Sequence, residues 1–247
     1  MAQALMSSNH SSAKRIAREE RLIVALDLPS AADARAFVEL LGEAVRFYKI
    51  GLELFMAGGY FELIDWLTRR GLKVFVDLKF FDVPETVRAA VRGLRNRGIT
   101  FATVHGNQSI LEAAGREKGE VKILAVTVLT SLDRGDLEDL GFQCDVEKLV
   151  LSRARRALEA GCDGVISSGL EAAALKRELG ERLLVVTPGI RPVENRANED
   201  QKRTVDVAQA FANGADYIVV GRPIRLAPDP LAAARAMQGT ITSIFPN

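Results

Sequence analysis

Short runs of apolar, β-branched residues recur along the chain, spaced so that about one helix fits between each pair. They read RLIVALD from Arg21, VRFYKIG from Val45, LKVFVDLK from Leu72, ITFATVHG from Ile99, VKILAVTVLT from Val121, CDGVISS from Cys162, RLLVVTPGI from Arg182 and ADYIVVGRPI from Ala215. Most are nearly continuous in apolar character, the pattern of strands covered on both faces by helices in a parallel sheet. The segments between them carry helix start and stop signals. Ser30 is placed to cap AADARAFVELLG, which ends at Gly42, and Pro84 suits the first turn of PETVRAAVRGLRNRG, closed by Gly98. DVEKLVLSRARRALEAG sets Val146, Leu149, Val150 and Leu158 on one face and stops at Gly161, while Thr204 or Asp206 begins VDVAQAFANG, closed at Gly214. Eight βα units in 247 residues predict a single (β/α)8 TIM barrel with an eight-stranded parallel sheet over residues 21–247. An open doubly wound sheet is the weaker alternative, since no GxGxxG follows the first strand. Residues 1–20 read as a flexible tail, compatible with a short helix near Ala13–Glu20.

One run breaks the apolar pattern. In VFVDLKFFDVP, from Val74, strand alternation puts Val74, Val76, Leu78 and Phe80 on the helix-facing side and Phe75, Asp77 and Lys79 on the barrel side. Both charges fall at the C-terminal end of the strand, where barrels of this kind keep their chemistry. On the preceding strand Lys49 shares the inward parity and is expected at the height of Asp77; the first strand ends in Asp27, and Asp82 lies in the turn before Pro84. Alternating signs hold the lysines charged and the neighbouring carboxylates ionised. On spacing alone the cluster is either a structural ion-pair network or a site, since both perturb pKa values.

The last two strands weigh toward a site. They end in Gly189 and Arg191 and in Gly221 and Arg222, and the loops after strands seven and eight often bind phosphate in this fold. Glycine permits close backbone approach, and arginine supplies a planar fork of donors. The connections Ser131–Asp145 and Arg191–Arg203 are long and polar, hence candidate lids.

Composition removes several other classes. A hydrophobic fraction of 48%, a charged fraction of 26% and a net charge of +1 describe an ordinary globular chain with no strong field for nucleic acid or an anionic membrane. No apolar run reaches membrane-spanning length. Cys144 and Cys162 are too far apart for a CxxC pair and fit a reduced, cytoplasmic setting. Only His105 among the histidines lies within the folded pattern, which leaves no obvious metal cluster. It reads as a strand-end structural group rather than a catalyst.

DLKFFDVPETV resembles the D-x-K-x-x-D signature of the orotidine 5′-monophosphate decarboxylases, and FYKIGLELF, AVTVLTS, TPGIR, EDQKR and VVGRPI resemble further segments of that family in the same order, from about Leu22 to Ile224. The resemblance implies a cofactor-free, metal-free decarboxylase of pyrimidine biosynthesis that turns orotidine monophosphate into uridine monophosphate (UMP) and carbon dioxide. It implies Lys79 as the proton donor to C6, within a network of Lys49, Asp77, Lys79 and Asp82. It also implies a homodimer in which Asp82 and Thr86 reach the partner's site. Asp27 and Lys49 would hold ribose hydroxyls, Thr130 and Ser131 would lie near the pyrimidine, Pro188 would line the site within TPGIR, Gln201 would bridge base and phosphate, and Arg191, Gly221 and Arg222 would take the phosphate. Phe81 and Glu85 stand where many relatives have histidine and asparagine. Two alternatives remain: a magnesium-dependent keto-hexulose-phosphate lyase of the same superfamily, against which Lys49 argues because those relatives generally carry an acidic residue there, and a non-catalytic nucleotide-phosphate-binding barrel.

Overall fold

In the computed structural model, which describes residues 16–191 and 204–246, strands and helices alternate along the chain. In order they are β1 (Leu22–Ala25), α1 (Ala31–Leu41), β2 (Phe47–Gly51), α2 (Leu52–Ala57), α3 (Tyr60–Arg69), β3 (Lys73–Phe80), α4 (Pro84–Gly93), β4 (Phe101–His105), α5 (Gln108–Glu117) and β5 (Lys122–Val126). There follow α6 (Arg134–Asp139), α7 (Val146–Glu159), β6 (Gly164–Ile166), α8 (Ala172–Leu179), β7 (Leu184–Thr187), α9 (Val207–Ala212), β8 (Tyr217–Val220), α10 (Arg222–Arg225) and α11 (Pro230–Ile244). Each strand pairs in parallel with the next, and β8 closes on β1. The expected barrel is the observed one.

Apolar side chains sort into two layers, as the near-continuous strand pattern requires. Val24, Tyr48, Val74, Val76, Ala102 and Ile218 face outward into the shell shared with the helices. Ile23, Phe47, Phe75, Phe101, Leu124 and Tyr217 fill the interior, where Phe101 meets Phe47 and Tyr217 with ring centroids 5.1 Å apart in both pairs. The barrel is therefore a packed core below and open only at the C-terminal ends of its strands. Its contacts begin before Arg21: Ile16 packs against the inner cluster, and Arg18–Glu20 forms a 3-10 turn whose Glu20 pairs with Lys73. Residues 1–15 of the expected tail lie outside the described residues.

Helix boundaries follow local chemistry. Ser30 caps α1 by accepting the Asp33 N–H at 3.1 Å, and Asp206 rather than Thr204 caps α9 by accepting the Gln209 N–H at 2.8 Å. The helix expected to run toward Gly98 stops at Gly93, because Asn96 takes φ 61° and the Leu94 N–H already bonds back only three residues, to Val91 O at 3.0 Å. The segment Ser131–Asp145 is not a bare loop: it contains α6, closed by a capping box between Asp133 and Asp136.

At the N-terminal ends of the strands, the end away from the opening, two ion pairs repeat one device. Asp163, just before β6, accepts the Ile123 N–H at 2.9 Å and binds Lys118 Nζ at 2.9 Å. Asp216, just before β8, accepts the Val185 N–H and binds Lys176 Nζ, each at 2.8 Å. Each carboxylate thus ties an incoming strand to its neighbour and to the helix that precedes that neighbour, α5 for Asp163 and α8 for Asp216. Removing Asp216 leaves the largely buried Lys176 only the exposed Glu181, at 3.3 Å, as a counter-ion among the described residues and frees the Val185 N–H, so Asp216→Ala is expected to cost up to about 3–5 kcal/mol in urea unfolding. A loss below about 1 kcal/mol would show that the pair does not pin β7 to β8.

Candidate active site

A cavity of about 610 Å³ opens at the C-terminal ends of the strands. The loops and strand ends that line it come from most of the barrel.

On the side of β1, β2 and β3 the charges form a chain. Asp27 follows β1; its Oδ1 accepts from Lys49 Nζ at 3.2 Å. Lys49 Nζ also lies 3.3 Å from Asp77 Oδ2, and Lys79 Nζ donates to Asp77 Oδ1 at 2.9 Å. Lys49 does not start at the height of Asp77. The ladder sets Lys49 opposite Phe75 and Gly51 opposite Asp77, so the long lysine stem spans the offset. Gly51 leaves the space for it: a Cβ there would stand 3.4 Å from Lys49 Nζ.

The β3–β4 ladder slips just where the charges begin. Val76 pairs with Ala102 but Phe80 with Val104, so β3 carries two extra residues in this interval. Lys79 takes φ 48°, a left-handed conformation that costs a non-glycine residue on the order of 1–3 kcal/mol. Thr103 on β4 stabilises it. The Thr103 hydroxyl accepts the Lys79 backbone N–H at 2.9 Å and donates to Asp77 Oδ1 at 2.9 Å. Simple strand alternation anticipates the inward direction of Asp77 and Lys79; the bulge and the buried threonine that fix it carry no comparable signal in the sequence.

Burial disfavours charge on Lys49, yet Asp77 and Asp27 outweigh it and raise the ammonium above its ordinary value. Burial likewise opposes ionisation of Asp77, but Lys49, Lys79 and the hydrogen bonds from Lys79 and Thr103 carry the carboxyl below its ordinary value. The stabilisation from Asp77 is thus present above the ordinary carboxylate value of 3.8 and is lost as pH falls through its lower folded value. That from Lys49 is present below 10.5 and is lost as pH rises through its higher folded value. Lys49 and Asp77 are therefore both ionised throughout the neutral range. Lys79 is the member turned to the cavity: its side chain is 34% exposed, against 12% for Lys49 and 11% for Asp77.

Around the rest of the rim, Thr130 and Ser131 follow β5, Pro188, Gly189 and Arg191 follow β7, and Gly221 and Arg222 follow β8, where Gly221 adjoins Asp27; all line the cavity. Gly189 takes φ 78°, which favours glycine. The ends of the long seventh connection are tied by a parallel bridge between Ile190 and Val205. Gln201 lies outside the described residues, as does 192–203 of that connection.

Asp82 and Thr86 are not brought into this cavity. Both are exposed, and the Asp82 carboxylate accepts its neighbour Val83 N–H at 2.6 Å. His105 ends β4 outside the cavity lining and packs its ring against Phe81 with centroids 4.5 Å apart; burial first, then Arg153, pushes its imidazole below the usual value. The sequence reading missed Thr103, Gly51 and the cavity-lining Arg225. Of these, only Arg225 had a visible cue, its place three residues after Arg222.

A profile of the orotidine 5′-phosphate decarboxylase / HUMPS family matches residues 20–237. The chain is 65% identical over 237 residues to an orotidine 5′-phosphate decarboxylase of Methylococcus capsulatus, covering 96% of this chain and 98% of that protein. It is 51% identical over 227 residues to one of Stenotrophomonas maltophilia, covering 91% and 94%. Among solved structures, orotidine 5′-phosphate decarboxylase from Lactobacillus acidophilus superposes with a TM-score of 0.79 at 36% identity, over 90% of this chain and 99% of that one.

Thr103→Val deletes the hydroxyl that serves both the left-handed Lys79 backbone and Asp77. Urea denaturation is expected to show a loss of about 1–3 kcal/mol, with Thr103→Ser close to the parent. Equal stability of the valine variant and the parent would mean that the bulge holds without this bond.

Proposed function

The chain belongs to the orotidine 5′-phosphate decarboxylase / HUMPS family, and on that premise we propose that it decarboxylates orotidine 5′-monophosphate to uridine 5′-monophosphate with Lys79 as the proton donor. The observation that carries the mechanism is the Lys79 ammonium, anchored to Asp77 through one N–H and facing the cavity with its side chain partly open.

Loss of carbon dioxide from C6 leaves the bonding pair on a ring carbon that delocalises it poorly. The enzyme must therefore stabilise a localised negative charge. A preorganised ammonium beside C6 does this without reorganisation at the moment of reaction, then transfers its proton to that carbon. The C6–carboxylate bond breaks, a C6–H bond forms, and solvent returns the proton to Lys79. Asp77, fixed between two lysines, lies near the departing carboxylate, and Lys49 keeps it ionised. Asp27 and Lys49 suit ribose hydroxyls, Thr130 and Ser131 the pyrimidine, and Arg191, Gly221 and Arg222 the phosphate, with Pro188 as wall and Gln201 as the bridge between base and phosphate. Phosphate binding far from C6 offsets the cost of bringing one carboxylate toward another.

A homodimer completes the site in this reading. Asp82 and Thr86 are exposed and stand beside Phe81 and Val83, which are 62% and 63% exposed. Large apolar side chains left open next to polar ones suit a protein interface. Through it, Asp82 and Thr86 reach the partner's cavity. We place the enzyme in the cytoplasm, in keeping with two free cysteines, and no described helix is long and apolar enough to cross a membrane.

Turnover of orotidine monophosphate, followed at the pyrimidine absorbance, should survive exhaustive chelation with EDTA. Loss restored by magnesium would move the chemistry to the keto-hexulose-phosphate lyases, and absence of turnover under any condition would leave a binding protein.

The shared site has its own test. Lys79→Ala and Asp82→Ala, each inactive, are mixed and allowed to exchange subunits. One site of each heterodimer then carries both lesions and the other neither, so activity returns in about half the heterodimer sites. Lys79→Ala mixed with Asp77→Ala should stay inactive. If mass analysis confirms exchange and the first mixture is as dead as the second, Asp82 does not act across the interface.

A further inference from the structure

One cationic residue of the cavity wall has no part in the roles above. Arg225 ends α10, three residues after Arg222, and lines the same cavity. It is half-buried, and its Nε is enclosed without a hydrogen-bond partner. Among the described residues no carboxylate pairs with its guanidinium. The cavity's own carboxylates are committed elsewhere, Asp27 to Lys49 and Asp77 to both lysines. A guanidinium withdrawn from water without a counter-ion carries a desolvation cost that an anionic ligand offsets. Its planar fork matches phosphate oxygens. It shares α10 with Arg222, at the rim of the cavity that Arg191 also lines.

We infer that Arg225 is a further substrate-binding residue, a second guanidinium on α10 that engages the phosphate dianion of the bound nucleoside 5′-monophosphate and sharpens the preference for phosphorylated over unphosphorylated ligand. The inference rests on the reading of the cavity as a nucleotide site. It acts by charge and by directed donors, so a neutral residue of similar length abolishes it and lysine restores the charge without the fork.

The test uses the full chain and the variants Arg225→Gln and Arg225→Lys, with uridine monophosphate and uridine as calorimetric probes and turnover of orotidine monophosphate alongside. Arg225→Gln is expected to weaken uridine monophosphate binding about tenfold or more while uridine binding stays the same, and to raise KM more than it lowers kcat; Arg225→Lys recovers part of the loss. The loss should shrink at high salt. Unchanged affinity for uridine monophosphate overturns the inference, as does an equal loss for uridine and its monophosphate, which would make Arg225 a wall residue. Failure of the unsubstituted protein to turn over orotidine monophosphate overturns instead the reading on which the inference rests.

Discussion

The Asp77 carboxylate is the point on which the rest depends. It is buried, and a buried carboxylate survives as an ion only with partners. Lys49 and Lys79 supply the charge from two strands, and Thr103 supplies a neutral donor from a third. Each partner is in turn made necessary by the others. Without Asp77 the desolvated Lys49 retains only Asp27, and Lys79 loses the contact that aims it. The cluster is therefore a unit, and deletions within it are expected to couple rather than add.

The barrel supplies what this unit needs. A packed interior of aromatic rings closes the space below, so the charges face a cavity rather than a water-filled pore. The β2–β3 register offsets Lys49 from Asp77 by a distance the lysine stem covers. The slip between β3 and β4 turns Lys79 into a left-handed conformation and frees its N–H for Thr103. The same fold uses charge differently at its other end. There Asp163 and Asp216 each hold one lysine and one strand N–H, an arrangement that fixes strands. At the cavity one carboxylate holds two lysines, and one of those lysines is left partly open.

Much of this was legible in the residues. Continuous apolar runs separated by capped helical segments gave the barrel, because a strand covered on both faces has no polar side to display. Parity alone set Asp77 and Lys79 inward, and position at strand ends brought Asp27, Lys49, Arg191, Gly221 and Arg222 to one cavity. Lys49 starts below the height its parity suggests, because parity fixes the face a side chain takes but not the register between strands. Thr103 was invisible because a threonine in a buried strand looks like any β-branched filler until the neighbouring strand bulges toward it. The helix expected to reach Gly98 ends at Gly93, because nothing in a good helical pattern announces that Asn96 turns left-handed. Asp82 and Thr86 could not be joined to the cavity from one chain, since both are exposed and neither lines it.

In the proposed mechanism one ammonium, held by Asp77, both stabilises the charge developing at C6 and delivers the proton. Single-turnover decarboxylation by Lys79→Ala at saturating orotidine monophosphate, with uridine monophosphate affinity measured on the same preparation, tests this most directly. Removing a general acid and a preorganised charge together should slow the chemical step by at least about 10⁴-fold, while affinity for uridine monophosphate stays within a few-fold. Turnover within about tenfold of the unsubstituted enzyme would contradict the account.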